Sequence, residues 1–368
     1  MARTRAATFL LAAALTACAT NPATRTSGPG LPEQVGAVPQ VARAPASPTT
    51  IITPSTVDAF DLQELLKRLT DVSFLTQLGP EMIVRKITYG GADNLPIPAY
   101  LFAPKDTLRR HAALIFVHDG IHGDLSDVYV PHIRSLVHEG YVIIAPEYRG
   151  STGYGRAFYD AIDYGGKEVD DVLAARTYLR DLVLYADLDR LGIIGWSHGG
   201  FISLHAIFRR PELFKVAVAH VPVADLPARM RTHPASYERM FAAQTAFGET
   251  LLQRPQAYIQ RSPIAHAREL QTPLLVHAAS NDQDVFIIEN RNLRDSMVAA
   301  GKDRAGLYNY KEWIDPPGGH SFNRIQTREG LESWNETLAF LRRYLSPWRT
   351  CALEVEGDVP PVRCRTAG

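Results

Sequence analysis

The sequence has no excess of charge of either sign and no internal repeat. Its 368 residues include 39 lysines and arginines and 39 aspartates and glutamates. Binding to nucleic acid or to an anionic surface usually depends on a basic excess, so the composition favours neither partner. The apolar fraction of 46% is ordinary for a globular protein, and the length fits one large α/β domain or two small ones.

Cysteine is scarce, with only Cys18, Cys351 and Cys364 in the chain. The last two lie near the C-terminus and away from any candidate general base, so a cysteine nucleophile is not expected. In an exported protein such a pair is expected to form a disulfide bond that holds the C-terminal tail, the alternative being two free thiols.

The apolar run at residues 8–17 follows a short basic segment and is too short to span a bilayer, so it indicates a signal peptide. It ends in LTAC (15–18), which resembles a bacterial lipobox and predicts that Cys18 is lipidated and becomes the first mature residue. Ala19 follows instead of aspartate, which by resemblance to Gram-negative lipoproteins indicates the outer membrane, facing the periplasm or the cell surface. The alternative is cleavage after Ala19, which would give a soluble periplasmic or secreted protein.

The domain organisation follows from changes in composition. Residues 1–17 are the signal peptide, and residues 18–55 are rich in Pro, Ala, Thr and Gly, as expected of a flexible tether. Residues 56–346 are predicted to form one catalytic domain. Within it, residues 225–262 interrupt the pattern as a small helical insertion that either covers a pocket or forms plain surface helices. Residues 347–368 form a C-terminal tail.

The catalytic region is predicted to have an α/β fold. A helix in one or two pieces over residues 57–78 and a β-hairpin over residues 82–103 come first. Strands then alternate with helices, and the predicted strands cover residues 112–117, 141–145, 191–194, 216–220, 273–277 and 307–313. Such alternation implies a mostly parallel sheet with helices on both faces, whose active site lies at the carboxyl ends of the strands.

The segment GWSHGG (195–200) carries the strongest functional signal. It lies between an apolar strand and a run with helical periodicity, which is the context of a nucleophile elbow. In that turn the serine hydroxyl projects from the top of the sheet, and glycines are needed where side chains would collide with strand and helix. Ser197 is therefore the predicted nucleophile.

A serine hydroxyl needs a base within hydrogen-bond reach and an acid that orients the base. His320, in GGHSF (318–322), is the only histidine beyond the later strands, since the other eleven precede residue 278. The acid is expected after the strand at 273–277, where Asp282 and Asp284 compete. The one that is not the acid would cap the next helix or bind a turn amide.

An oxyanion hole needs two donors where negative charge develops. The backbone N–H of His198 is expected to supply one, and the amide of Asp119 or Gly120, after the strand at 112–117, the other. Metal-type side chains also occur here, in HDGIHGD (118–124). The glycines indicate a tight loop without the i, i+4 ligand spacing of a helix, so a metal site is not expected.

These blocks resemble the catalytic domain of the prolyl oligopeptidase family of serine peptidases. PEYRGSTGYG (146–155), GWSHGGF (195–201) and GGHSF (318–322) are similar to family segments, and VHDGIHG stands where members often have HGGP-like loops. In the family's acid block the aspartate lies three residues before a valine, which supports Asp282. Two features depart from the family: Asp119 and Ile121 replace glycine and proline, and no segment for the N-terminal β-propeller is expected.

The resemblance implies an α/β-hydrolase fold and a serine-type peptidase that cleaves small peptides. Ser197 would attack the acyl carbon, His320 would move the proton and Asp282 would orient His320. Because peptidases and esterases share this chemistry, a carboxylesterase acting on small esters is the alternative. A non-catalytic binding protein is a distant alternative, since such proteins usually lose a triad member. No cofactor or metal is implied.

Overall fold

In the computed structural model of the protein, the described residues are 58–353 and 362–366. The segments predicted as signal peptide and tether, and the lipidation predicted at Cys18, lie outside them. The helices are α1 Ala59–Leu78, α2 Val130–Glu139, α3 Arg156–Tyr159, α4 Lys167–Leu182, α5 His198–Arg209, α6 Leu226–Thr232, α7 Ala235–Ala242, α8 Pro255–Gln260, α9 Ile287–Ala299 and α10 Arg328–Leu345. The strands are β1 Ile83–Gly90, β2 Pro96–Ala103, β3 His111–Val117, β4 Val142–Pro146, β5 Ala186–Trp196, β6 Val216–His220, β7 Leu274–Ala279, β8 Tyr308–Trp313, β9 Arg349–Leu353 and β10 Val362–Thr366.

The first eight strands form one sheet in the order β1-β2-β4-β3-β5-β6-β7-β8. The neighbouring strands β4, β3, β5, β6, β7 and β8 are all parallel to one another. The β1–β2 hairpin is antiparallel, and β2 pairs with β4 in antiparallel orientation. The mostly parallel α/β fold predicted from the sequence is therefore confirmed. The carboxyl ends of β3, β5, β7 and β8 meet at one edge, where the candidate site residues lie.

Both faces of the sheet are buried, as a parallel sheet requires. Successive residues of one strand belong to different cores: Ile193 of β5 packs with α4 and α5 on one face, and Ile194 packs on the other against Phe116 of β3 and Trp334 of α10. All four side chains are fully or almost fully buried. This explains why the central strands are continuous apolar runs in the sequence.

Helix α1 packs a mixed side on the domain, with Lys67, Phe74 and Leu78 buried, and leaves a leucine-rich side exposed. Lys67 donates to Asp124 Oδ2 at 2.8 Å and to the Leu125 carbonyl at 2.7 Å, and its side chain is 2% exposed. The opposite side is apolar, with side chains 48–59% exposed, at Leu62, Leu65, Leu66, Leu69, Val72 and Leu75. Phe74 and Leu78 belong to a buried core cluster, so ion pairs near the middle of α1 and apolar packing near its end attach the helix together.

Residues 225–262 contain the three short helices α6, α7 and α8, and aromatic side chains join the segment to the domain. Phe241, Phe247 and Tyr258 are fully buried in the core cluster that also contains Phe201 of α5. Tyr164, from the loop before α4, lies 4.1 Å from Phe241 and 5.1 Å from Phe201, measured between ring centroids. The insertion is thus packed beside the helix that follows the predicted nucleophile.

The C-terminal segment contains a feature that the sequence pattern did not predict. Strands β9 and β10 pair in antiparallel orientation, and Cys351 stands directly opposite Cys364 in their register. The disulfide bond expected between these two cysteines stays a prediction. Within the described ranges, no helix is long and apolar enough to cross a membrane.

Candidate active site

Ser197 sits at a sharp turn between β5 and α5. Its backbone has φ 53° and ψ −115°, a strained conformation for a residue with a side chain, and its N–H donates to the His220 carbonyl at 2.9 Å. A Cβ at Gly195 would meet the Gly199 carbonyl, and one at Gly199 would meet the Val117 carbonyl of β3. The steric requirements of a nucleophile elbow are therefore met at both glycines.

Asp282, in the loop after β7, contacts His320 in the 3-10 turn Gly319–Arg324 after β8. The distance from His320 Nδ1 to Asp282 Oδ2 is 2.7 Å. The other carboxylate oxygen accepts the backbone N–H groups of Asp284 and Val285, each at 2.8 Å, and Asp282 is only 3% exposed. The side chain of Asp284 is exposed. Of the two competing acids, the structure places Asp282 against the histidine.

A second contact holds the His320 turn beside the nucleophile. Trp196, which precedes Ser197, donates from Nε1 to Asn323 Oδ1 at 3.2 Å, and Asn323 belongs to the same 3-10 turn as His320. Among the described residues, no hydrogen bond joins Ser197 Oγ to His320. Hydrogen bonds of this kind are often long before substrate binds and shorten in the complex.

The N-terminus of α5 supplies free donors next to Ser197. The first backbone bond of this helix runs from Phe201 N–H to the Ser197 carbonyl at 2.9 Å, so the amides of His198, Gly199 and Gly200 have no intrahelical acceptor. The His198 amide is therefore available as the first predicted oxyanion donor. The positive end of the helix dipole also lies here.

The second predicted donor must be corrected in part. The Asp119 N–H donates to Tyr129 Oη at 3.2 Å, so this amide is already occupied. Gly120 is the remaining predicted donor: it has φ 80°, its carbonyl accepts Tyr148 Oη at 2.5 Å, and its N–H has no acceptor among the described residues. The tyrosine hydroxyls that fix this loop come from outside the motif, which is why the sequence could not distinguish the two amides.

The metal-type side chains of residues 118–124 are engaged by other groups, and His118 and Asp124 belong to one ion-pair network through Glu147 and Lys67. His118 Nε2 lies 3.1 Å from Ser151 Oγ, His122 Nδ1 lies 2.8 Å from the Gly150 carbonyl, and Asp124 pairs with Lys67. Within the part of the chain that the structure describes, no three His, Cys, Asp or Glu side chains are grouped to hold a metal ion.

The helical insertion contacts the acid loop through a buried arginine. Arg229 of α6 donates from Nη1 to the Asp284 carbonyl at 2.8 Å and to Glu289 Oε1 at 2.9 Å. His233 Nε2 lies 3.1 Å from the same carbonyl. These residues carry no signal in the sequence, because each partner is more than 50 positions away and no local motif marks the contact.

A buried carboxyl lies close to the side chain of His198. Glu168 Oε1 is 3.9 Å from His198 Nε2, and Glu168 is fully buried. Burial raises the pKa of Glu168 to about 7, although the N–H of Gly165 opposes the rise. Burial also lowers the pKa of His198 well below its usual value, and neither ring nitrogen has a hydrogen-bond partner. Both groups are therefore neutral when Glu168 is protonated.

This raised pKa predicts a pH-dependent stability. Because folded Glu168 binds its proton more tightly than the unfolded chain does, its contribution to stability is full below about pH 4 and is lost as the pH rises through about 7. The free energy of unfolding of the wild type should therefore fall between pH 5 and pH 8. Glu168→Gln has no carboxyl group to titrate at this position, so we expect its fall to be smaller by on the order of 3 kcal/mol. Urea denaturation across this range measures it, with the exposed Glu332→Gln as the control. Equal slopes for wild type and Glu168→Gln would contradict the shift.

The sequence profile of the Prolyl oligopeptidase family matches residues 128–347, more than half of the chain. Uncharacterized peptidase YuxL of Bacillus subtilis is 27% identical over 258 residues, which cover 68% of this chain and 38% of YuxL. Dipeptidyl peptidase 8 of Homo sapiens is 33% identical over 132 residues, which cover 33% of this chain and 15% of that protein. The chain thus spans well under half the length of these relatives.

Solved structures show the same likeness. A Mycobacterium tuberculosis puromycin-hydrolyzing peptidase superimposes with a TM-score of 0.61 at 27% identity, covering 72% of this chain and 39% of that chain. Pyrococcus horikoshii acylaminoacyl peptidase gives a TM-score of 0.62 at 20% identity, covering 72% of this chain and 42% of that chain. At 20% identity, the similarity to the Pyrococcus horikoshii enzyme shows a shared fold and nothing more.

Proposed function

Because the chain belongs to the prolyl oligopeptidase family, we propose that it is a serine hydrolase, and more narrowly a serine-type peptidase that cleaves small peptides. The observation that carries the proposal is the 2.7 Å contact between His320 Nδ1 and Asp282 Oδ2, on loops beside the strained Ser197. A carboxylate in this position fixes the imidazole tautomer and stabilises the imidazolium that forms during acyl transfer. The relatives named above are peptidases, which favours an amide substrate.

In the proposed reaction, Ser197 Oγ attacks the acyl carbon while His320 Nε2 accepts its proton. Negative charge then develops on the carbonyl oxygen, where the amides of His198 and Gly120 donate hydrogen bonds. His320 gives its proton to the leaving group, which departs and leaves an acyl-enzyme. Water, deprotonated by His320, releases the acid product and restores Ser197.

The experiment that separates peptidase from esterase is a substrate panel. Purified protein is assayed with p-nitrophenyl esters, aminoacyl amides and prolyl amides, and kcat/KM is compared across the three groups. We expect turnover of amides with a free or acylated amino end. Turnover of short esters without amide turnover would favour a carboxylesterase, and no turnover together with no reaction with a fluorophosphonate would favour a binding protein.

We also propose that Cys351 and Cys364 form a disulfide bond. Residues directly opposite each other in an antiparallel pair have Cα atoms about 4.5–5.5 Å apart, which lies within the range that disulfides need. The register of β9 and β10 supports the bond, and closing so short a loop is expected to stabilise the protein by about 3 kcal/mol. Peptide mass mapping without reductant should find the two cysteines linked. Alkylation of both thiols in the native exported protein would contradict the bond.

The predicted export signal leads to a proposal about location. We propose that the mature protein begins at lipidated Cys18 and is held at the outer membrane by a tether over residues 18–55, with the catalytic domain facing the periplasm or the cell surface. Mass spectrometry of the mature N-terminus tests this directly. A diacylglyceryl-modified cysteine is the expected result, and a free terminus at Thr20 would indicate a soluble periplasmic or secreted protein.

A further inference from the structure

The side chain of Asp119 is the starting observation, because it occupies a position where the family often has glycine. Its two carboxylate oxygens have different partners. Asp119 Oδ2 lies 2.5 Å from Arg324 Nη1, and Asp119 Oδ1 accepts a hydrogen bond from Tyr129 Oη at 2.7 Å. Arg324 also donates from Nη1 to Tyr129 Oη at 3.2 Å, and the partners are 195 positions apart. The three side chains therefore form a closed cluster.

This cluster is mostly shielded from water. The side chain of Arg324 is 7% exposed, Tyr129 is fully buried and Asp119 is 30% exposed. Burial would raise the pKa of Asp119, but Arg324 outweighs it, so the pKa of this carboxyl lies below its ordinary value. Asp119 is therefore charged at neutral pH. In an ion pair shielded in this way, removing one partner is costly because it leaves an uncompensated charge.

The two ends of the cluster belong to the two loops that catalysis has to align. Asp119 precedes Gly120, the remaining candidate for the second oxyanion donor. Arg324 is the last residue of the 3-10 turn that contains His320, and its Nη2 donates to Ser321 Oγ at 3.1 Å. Asn323, in the same turn, is already held by Trp196. Arg324 thus adds a direct link from the histidine turn to the oxyanion loop.

We propose that Arg324 is a positioning residue, which through Asp119 and Tyr129 fixes the oxyanion loop relative to His320 and neutralises a carboxylate next to the oxyanion hole. The inference rests on the proposed serine hydrolase function. Without Arg324, an uncompensated charge would remain on Asp119, one residue from Gly120, and it would repel the negative charge that develops in the transition state but not the neutral bound substrate. The expected loss is therefore in kcat and not in KM.

The experiment compares Arg324→Gln, Asp119→Asn and the double variant on the best substrate of the panel. Arg324→Gln is expected to lower kcat by about 10- to 100-fold with little change in KM. Asp119→Asn removes the charge and keeps the acceptor for Tyr129, so its loss should be smaller. The double variant should recover, with kcat about fivefold above that of Arg324→Gln, because the unpaired carboxylate is gone. Arg328→Gln, at an exposed arginine that pairs with Glu332, is the matched control.

A merely structural role for Arg324 predicts a different pattern. It would lower the melting temperature and the yield of active enzyme, and the double variant would be no better than Arg324→Gln. If Arg324→Gln does not fold, as judged by circular dichroism, Asp119→Asn and the double variant carry the test. A kcat of the double variant that lies more than about tenfold below the kcat of Asp119→Asn would overturn the proposal.

Failure of the proposed function gives a distinct result. If the wild-type protein neither hydrolyses any substrate of the panel nor reacts with a fluorophosphonate, both the proposed hydrolase function and the proposed role of Arg324 are wrong. Wild type that is active, with kcat unchanged in Arg324→Gln, would overturn only the role of Arg324.

Discussion

Replacement of Ser197 by alanine is expected to reduce kcat/KM by about 10⁵- to 10⁶-fold on any substrate that the wild type cleaves. The strained turn presents this hydroxyl at the N-terminus of α5, beside the His198 amide, and no acyl-enzyme can form without it. The small remaining rate would come from substrate binding and the oxyanion donors. Steady-state kinetics on the purified variant measure the loss.

Ser203→Ala is the matched control for this result. Ser203 is a buried serine of the same helix, and its hydroxyl donates to the Gly199 carbonyl at 2.8 Å. Such a local bond contributes little to the helix, so kcat/KM should stay within about threefold of wild type. A Ser197→Ala enzyme that keeps most of its activity would remove Ser197 from the mechanism, whatever the control shows.

Asp282→Asn is expected to reduce kcat by about 10⁴-fold at neutral pH. An asparagine at this position can offer its NH₂ group to the histidine and favour the wrong tautomer, in which Nε2 carries a proton and cannot accept one from Ser197. Asp282 Oδ1 also holds two backbone amides, so the loop after β7 loses acceptor strength as well. Kinetics at several pH values measure the effect.

Asp284→Asn separates the two candidate acids. Its side chain is exposed, and only its backbone takes part in the contacts described here: the N–H donates to Asp282 and the carbonyl accepts from Arg229 and His233. We therefore expect kcat within about twofold of wild type. The reverse pattern, with activity lost only in Asp284→Asn, would reassign the acid.

The elements that the sequence predicted well are those with a strong local pattern. Buried parallel strands must be apolar on both faces, so β3, β6 and residues 191–196 of β5 appear as continuous apolar runs. The elbow needs glycine for steric reasons, which makes GWSHGG recognisable without a structure. Ser197, His320 and Asp282 each follow a strand, and the parallel sheet brings those strand ends to one edge.

Helix α1 shows where a local pattern is insufficient. Its leucines have the spacing of a helix that buries an apolar face, and the helix is present as expected over Ala59–Leu78. The face that turns inward carries Phe74, Leu78 and Lys67, whose ammonium group reaches Asp124 and the buried Glu147. The ion-pair partners of Lys67 lie more than 50 positions away, so periodicity could not show that this mixed face, and not the face with most of the leucines, turns inward.

The same reason explains the missed residues of the site. Arg324 contacts Asp119 and Tyr129 across about 200 positions, and Arg229 contacts Glu289 across 60. Neither arginine belongs to a motif, and each is identified only when the fold brings distant loops together. The occupied Asp119 amide belongs to the same class, because the hydroxyl that binds it comes from Tyr129.

The most decisive measurement is the site and rate of labelling by a fluorophosphonate, which reacts only with an activated serine. Native protein should be phosphonylated at Ser197, as located by peptide mapping, and His320→Ala should react at least about 10³-fold more slowly because the base is gone. Labelling at another residue, or an equal rate in His320→Ala, would show that Ser197, His320 and Asp282 do not act as one catalytic unit.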